Sequence, residues 1–375
     1  MSSEPTAHAR ARPGDRARQE LQAVVTAAIA GVLAFVLGLA LMGDGLRPIG
    51  GDGSVARIAA FTTGAAAAAS FVAARLTSDL PLSRLGERLE RTVSIVGAAA
   101  IALVCFGLGY LAALSAGEIM QAGFVGLELD AFAGALACAL AGATAAYVAH
   151  PLGHDISTRT LGTLVPAFLV VGVVFSMLTA SDEQWWQLHF SQLGAGGGIS
   201  GFAFNITLVL SGLLVSTMGA YVRGDLEAAT VGSAARSARW VGRLLAAIGL
   251  CMVLTGLVRV DIAEWLHIGF ASSMVVLFCV LCVGLPRFAP RLPKAIHVVS
   301  IAMVIGTVAA LALWVPVGYY NFTGFEFAAC GLIFVWLSAF IRAIDAATAD
   351  REDAAAHPLP LADSTSVAAG GKVGT

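Results

Sequence analysis

The sequence is poor in charged residues. Asp, Glu, Lys and Arg make up 12% of its 375 residues, about half of the roughly 25% found in an average soluble protein. Apolar residues make up 58%, and the mean hydropathy is +0.84. The net charge of −2 offers no basic surface for nucleic acid. Because a soluble fold could not cover itself with so few charges, the composition predicts an integral membrane protein with membrane lipids as its partners.

The sequence also lacks the motifs that hold metals, redox cofactors or nucleotides. All six cysteines lie inside apolar runs, where a cysteine packs as a small hydrophobic residue. Cys279 and Cys282 form a C-x-x-C pair, but no second pair of ligands lies near them in the sequence. Near the C-terminus, Gly371-Lys372 is followed by Val373 and not by Ser or Thr, so it is not a phosphate-binding loop. We therefore predict no cofactor, no metal and no nucleotide.

Long apolar runs are abundant. A helix needs about 20 apolar residues, at 1.5 Å per residue, to cross a hydrocarbon core roughly 30 Å thick. The fold class that we predict is therefore all-α, a polytopic integral membrane helical bundle with about ten transmembrane helices. The predicted spans are 21–42, 55–75, 93–115, 131–149, 160–180, 197–221, 240–259, 264–284, 295–316 and 324–345.

The predicted spans fall into two groups between two polar ends. Residues 20–150 form a four-span N-terminal bundle, and residues 159–345 form a six-span module. The ends, 1–19 and 346–375, are low in aromatic residues and in apolar periodicity, which is typical of disordered tails.

The basic residues predict the orientation of the chain. With ten spans, all Lys and Arg residues except Arg47, Arg57 and Arg259 fall on one side, and the basic side of a membrane protein faces the cytoplasm. This places both termini in the cytoplasm. The richness in Ala, with Arg favoured over Lys, indicates a bacterium, so we expect the protein in the cell (cytoplasmic) membrane.

Ionisable residues are missing from the middle of the spans. The deepest are His267, a few residues into the eighth span, and Glu326, at the start of the tenth. Ion-coupled transporters hold charged groups at mid-depth, so this class is disfavoured. An uncoupled facilitator for small solutes remains open.

One face of the sixth span combines small residues with an amide. Its members, spaced for one side of a helix, are Gly198, Gly201, Asn205, Gly212, Ser216 and Gly219. The seventh span repeats the pattern at Gly242, Gly249 and Gly256. Small residues let helix backbones approach closely, so the glycines predict tight packing. Asn205 is different, because a buried amide needs a partner.

Four short motifs carry a resemblance to a known family. They are HFSQLG at 189–194, FNITLVLSGLLV at 204–215, GLVRVD at 256–261 and WLHIGFASS at 265–273. Over roughly residues 159–345 the chain resembles the bacterial and archaeal membrane family called domain of unknown function 998, which is similar to the six-span Frag, DRAM and Sfk group. The family pattern matches Ser191, Gly194, Asn205, Asp261 and His267. The resemblance implies no assigned reaction, and the wider group implies lipid handling or regulation of membrane processes.

An enzyme is the competing interpretation. Gly198-Ile199-Ser200-Gly201 matches the GxSG motif of rhomboid-like intramembrane serine proteases. Ser200 and His267 both open helices that run inward with one helix between them, which is compatible with a catalytic Ser–His dyad. No earlier helix shows convincing oxyanion donors, so we favour a protein that is not an enzyme.

A second histidine pair lies at the inner end of the fourth span. His150 and His154 are spaced i, i+4, as metal ligands on a helix would be. Pro151 lies between them, however, and proline breaks helices. We therefore predict a solvated loop here.

These observations together predict a small polar cavity that faces outward. Asn205 lies about one turn below the interface, and His267 is the nearest polar group in depth. His189, Ser191 and Asp261 are the other candidates for its lining. We expect it to bind a lipid headgroup or a small polar molecule.

Overall fold

The computed structural model describes residues 13–78, 89–228 and 233–356, and these ranges are mostly helical. Two short antiparallel strands, β1 (Arg47–Pro48) and β2 (Glu128–Leu129), pair between the helices. Each of the ten α-helices in these described ranges contains a stretch long and apolar enough to cross a membrane, which confirms the predicted all-α membrane bundle. The helices are α1 (Pro13–Met42), α2 (Val55–Thr77), α3 (Leu89–Gly123), α4 (Ala131–His154), α5 (Thr158–Leu178), α6 (Ile199–Ala228), α7 (Ser233–Leu257), α8 (Glu264–Phe288), α9 (Lys294–Trp314) and α10 (Phe322–Ala356).

Two helices extend into the segments predicted as tails. Helix α1 begins at Pro13, and α10 continues to Ala356. Proline is favoured in the first turn of a helix, and the end of α10 is rich in Ala, which favours helix. The remaining parts of the predicted tails, 1–12 and 357–375, lie outside the described residues.

The prediction that Pro151 interrupts the fourth helix is wrong. Helix α4 continues through Pro151 to His154, and His150 is only 3% exposed. Proline removes one hydrogen bond of the helix and its ring crowds the carbonyl four residues earlier, yet α4 continues for a further turn beyond this point. The N–H of Asp155 donates to the carbonyl of Pro151 and closes the helix.

The helices pack in two overlapping sets. Helices α1, α2 and α4 contact one another, and α6 and α7 form the most extensive contact of the later set. Helix α3 contacts α2 on one side and α5 and α6 on the other. The largest apolar core includes side chains from α2 and α3 together with side chains from α5 to α10. The division into modules at 20–150 and 159–345 stays a prediction.

The close approach of α6 and α7 is built from the predicted glycines. An added Cβ at Gly219 would lie 2.6 Å from the carbonyl oxygen of Gly242, and one at Gly242 would lie 2.6 Å from that of Gly219. Gly212 and Gly249 meet in the same reciprocal way. The C-terminal part of the predicted small-residue face, at Gly212 and Gly219, therefore packs directly against the backbone of α7.

The N-terminal part of that face, at Gly198 and Gly201, does not pack against α7 in this way. An added Cβ at Gly198 would meet nothing within 4 Å, and one at Gly201 would approach the carbonyl oxygens of residues 194–196. The first turn of α6 therefore packs against the segment that precedes it, where the candidate site lies.

Candidate functional site

The candidate site is a short segment without α-helix between α5 and α6. It contains two 3-10 turns, Trp185–Gln187 and Phe190–Gly194. Gly196 then adopts a φ of +76°, a backbone conformation that glycine adopts without a steric penalty. Backbone of this kind near a membrane needs protein partners for its polar groups. We call residues 189–196 the clamped segment, because side chains from three helices and one loop hold it.

His267 from α8 holds the clamped segment at Ser191. Its Nε2 lies 2.7 Å from Ser191 Oγ, and its Nδ1 lies 2.6 Å from the carbonyl oxygen of Val258. A carbonyl oxygen only accepts hydrogen bonds, so Nδ1 carries a proton, and in the neutral ring Nε2 accepts a hydrogen bond from the Ser191 hydroxyl. His267 is 2% exposed. The ring is thus fixed in one tautomer and one orientation.

Asn205 from α6 holds the same segment three residues further on. Its Nδ2 donates to the carbonyl oxygen of Gly194 at 2.9 Å. A Cβ on Gly194 would lie 2.7 Å from Asn205 Oδ1, so only glycine allows this approach. Oδ1 is buried and has no hydrogen-bond partner in the described part of the chain. The amide nitrogen of Asn205 therefore has a hydrogen-bond partner, and the amide oxygen has none.

Asp261, in the loop between α7 and α8, holds the end of the clamped segment. Its Oδ2 accepts from the backbone N–H of Gly196 at 3.2 Å. Arg259 donates to both carboxylate oxygens, at 3.1 Å and 2.5 Å. These hydrogen bonds, first that of Arg259, lower the pKa of Asp261. The carboxylate therefore stays ionised at neutral pH.

Glu326 from α10 holds the start of the clamped segment. Its Oε2 accepts from the backbone N–H of Phe190 at 2.6 Å. In the sequence it stood out only as an ionisable residue close to a membrane span. Because it follows Phe190 by more than a hundred positions, nothing in the local pattern indicated this contact.

His189 opens the clamped segment and is half-buried. Its Nε2 lies 3.4 Å from Gln192 Nε2. Burial lowers the pKa of His189, and the nearby His267 lowers it further, while Glu264 opposes both effects. His189 therefore lies close enough to His267 to be affected by its charge.

Ser200 lies beside the same segment, but its hydroxyl does not contact His267, its predicted partner. Its hydroxyl faces the carbonyl oxygens of Ser176, at 2.8 Å, and Leu193, at 3.2 Å. His267 contacts Ser191 instead. The involvement of Ser176 at the end of α5 had no signal in the sequence. Both members of the predicted Ser200–His267 dyad are thus engaged in separate hydrogen bonds.

The structure brings all the predicted site residues to one place. His189 and Ser191 lie in the clamped segment, while Asn205, Asp261 and His267 bind it from other elements. Two surface grooves, one along Pro286 and His297 and one along α9 and α10, are lined by other residues.

The fold and this arrangement define a polytopic α-helical membrane protein whose later helices clamp a short polar segment. Residues 163–343 match the family described as "Protein of unknown function (DUF998)". This match confirms, over residues 163–343, the resemblance inferred from the motifs. The comparisons with curated proteins and with solved structures found no match.

Proposed function

We propose that this protein binds a small polar ligand, such as a lipid headgroup, at the clamped segment. The segment faces outward if both termini are cytoplasmic, as the basic residues predict. The observation that carries the proposal is the buried and unpaired Oδ1 of Asn205. A buried acceptor without a partner costs about 1–3 kcal/mol, and polar groups at membrane depth are functional candidates for that reason.

The surroundings indicate the chemistry of the ligand. Asn205 Oδ1 accepts hydrogen bonds, and Glu264 adds an acidic group near His189 in the clamped segment. A ligand with N–H or O–H donors, such as an amine or a polyol headgroup, satisfies these acceptors. Lipids that reach the segment from the surrounding membrane are therefore the ligand class that fits best.

Accessibility of the site tests this proposal. In a background without native cysteines, Asn205→Cys and His267→Cys should react with a small membrane-impermeant thiol reagent added from outside. Gln184→Cys, on the exposed part of the loop, is the positive control. Thr207→Cys is the negative control, because Thr207 lies on the same helix as Asn205 and is fully buried. Inert cysteines at both 205 and 267, with a reactive Gln184→Cys, would refute the proposal.

A second candidate function is acyl transfer, and the contact between Ser191 and His267 favours it. A hydroxyl 2.7 Å from a histidine whose other nitrogen is held by a carbonyl is the arrangement of an activated nucleophile. Ser191 Oγ would attack the carbonyl of an ester while its proton moves to His267 Nε2. The histidine would then give this proton to the departing alcohol, and water would release the acyl group.

A fluorophosphonate probe distinguishes the two serines. If Ser191 is the nucleophile, labelling should vanish in Ser191→Ala and His267→Ala and persist in Ser200→Ala. Loss of labelling in Ser200→Ala alone would favour the dyad predicted from the GxSG motif. If the wild-type protein is not labelled, the acyl-transfer candidate fails, while the binding proposal is judged by the cysteine experiment.

A further inference from the structure

A second cluster of polar side chains lies at the opposite end of α5 from the clamped segment. His150 and His154 occupy the last turn of α4. Their Nε2 atoms are 3.3 Å apart. His150 is buried and His154 is half-buried, so the pair reaches from the helix bundle towards the surface.

Ser70 from α2 orients the buried histidine. Ser70 Oγ donates its proton to the carbonyl oxygen of Ala146 at 2.7 Å, and it lies 3.3 Å from His150 Nδ1. Because the hydroxyl has only one proton, it accepts from His150 Nδ1–H. His150 Nε2 therefore carries a lone pair, and that lone pair faces His154. Metal-binding histidines are commonly fixed in this way by a hydrogen bond at the other ring nitrogen.

The separation of the two nitrogens matches that of two ligands on one ion. Zinc binds histidine nitrogen at about 2.0–2.1 Å in tetrahedral geometry, which places two such nitrogens about 3.3–3.4 Å apart. We infer that His150 and His154 together bind one divalent transition-metal ion, with Zn²⁺ as the natural probe. Imidazole ligands suit zinc, copper and nickel.

Water completes the coordination of this ion. Among the residues that the structure describes, no group of three or more His, Cys, Asp or Glu side chains is arranged to hold a metal. Two protein ligands leave two tetrahedral positions for water or for an oxygen ligand. This site is independent of the proposed function, because it shares no residue with the clamped segment.

Metal titration of the full-length protein without a histidine tag tests the inference. After chelator treatment, isothermal titration in detergent micelles should show one Zn²⁺ per chain. His150→Ala and His154→Ala should each weaken the affinity at least tenfold. His297→Ala is the matched control, because His297 lies near the start of α9 at the same end of the bundle. It should leave the affinity unchanged.

Ser70→Ala tests the positioning role and has its own signature. It should lower the affinity by about 10–100-fold, as the loss of such an outer partner does, while the bound metal keeps both imidazole ligands. Pulsed electron paramagnetic resonance of the Cu²⁺ form should count two imidazoles in the wild-type protein and in Ser70→Ala. This measurement uses no histidine variant, so its result does not depend on whether the histidine variants fold. Fewer than two imidazoles in the wild-type protein, or an affinity unaffected by His154→Ala, would overturn the inference.

Discussion

The contact between α6 and α7 predicts a large cost for adding a single methyl group at Gly249. A Cβ there would lie 2.4 Å from the carbonyl oxygen of Gly212 and 2.3 Å from Ser216 Oγ. Ordinary contact begins near 3.4 Å, so the two helices would have to separate by about 1 Å. Gly212 cannot yield by rotating a side chain, because its contacting atom belongs to the backbone. The substitution therefore forces a movement of the whole interface.

The expected magnitude follows from two opposing terms. Forcing extra atoms into a packed interface costs about 1–3 kcal/mol, and the rigid backbone contact places Gly249→Ala near the upper end. Alanine regains up to about 1 kcal/mol through its better helix propensity. We therefore expect the free energy of unfolding to fall by about 2 kcal/mol.

The measurement is equilibrium unfolding in detergent micelles, with Gly331→Ala as the matched control. Gly331 lies inside α10, and an added Cβ there meets nothing within 4 Å. This control should be as stable as the wild-type protein, or more stable by up to about 1 kcal/mol. If Gly249→Ala and Gly331→Ala unfold with equal free energy, the reasoning from the α6–α7 contact is refuted.

Three further predictions address orientation and the clamped segment. Reporter fusions after Asp225 should score cytoplasmic and those near Asp182 outside; the opposite result at both would remove the predicted orientation. Because burial holds the pKa of His189 below its usual value, its neutral form is stabilised, and this stability is lost as the pH falls through that lowered pKa. Going from pH 7.5 to 5.5 should therefore lower the melting temperature more in the wild-type protein than in His189→Gln, and equal losses would contradict the assignment. Asp261→Asn should cost less than about 1 kcal/mol, since its ion pair is partly exposed to solvent. It should still speed hydrogen exchange at the amide of Gly196, and unchanged exchange would show that the contact does not hold the segment.

Much of the fold was predictable because crossing a membrane leaves a strong signal in the sequence. Each span needs about 20 apolar residues, and the ten predicted spans correspond to the ten α-helices in the part of the chain that the structure describes. The glycines at 212, 219, 242 and 249 were predictable for a related reason, since their spacing places them on one helix face. The family resemblance was found from short motifs and confirmed over residues 163–343.

The candidate site was predictable in its members but not in its pairings. Asn205, Asp261 and His267 stood out because polar groups next to apolar runs are costly and need partners. The identity of each partner depends on which elements meet in space. His267 reaches Ser191, 76 positions away, and Glu326 reaches Phe190, 136 positions away, and no local pattern encodes such contacts.

At the end of α4, tertiary packing outweighs the local conformational preference of the sequence. By itself, Pro151 favours a break in the helix, and the sequence alone therefore predicted a solvated loop at His150 and His154. In the structure the helix continues, and the packing of α2 against α4 brings Ser70 to His150. Composition and periodicity determined that this chain crosses the membrane and which residues are unusual there. Only the packing of the helices decided which polar atoms face one another, because a hydrogen bond depends on distances of a few tenths of an ångström that spacing along the chain does not specify.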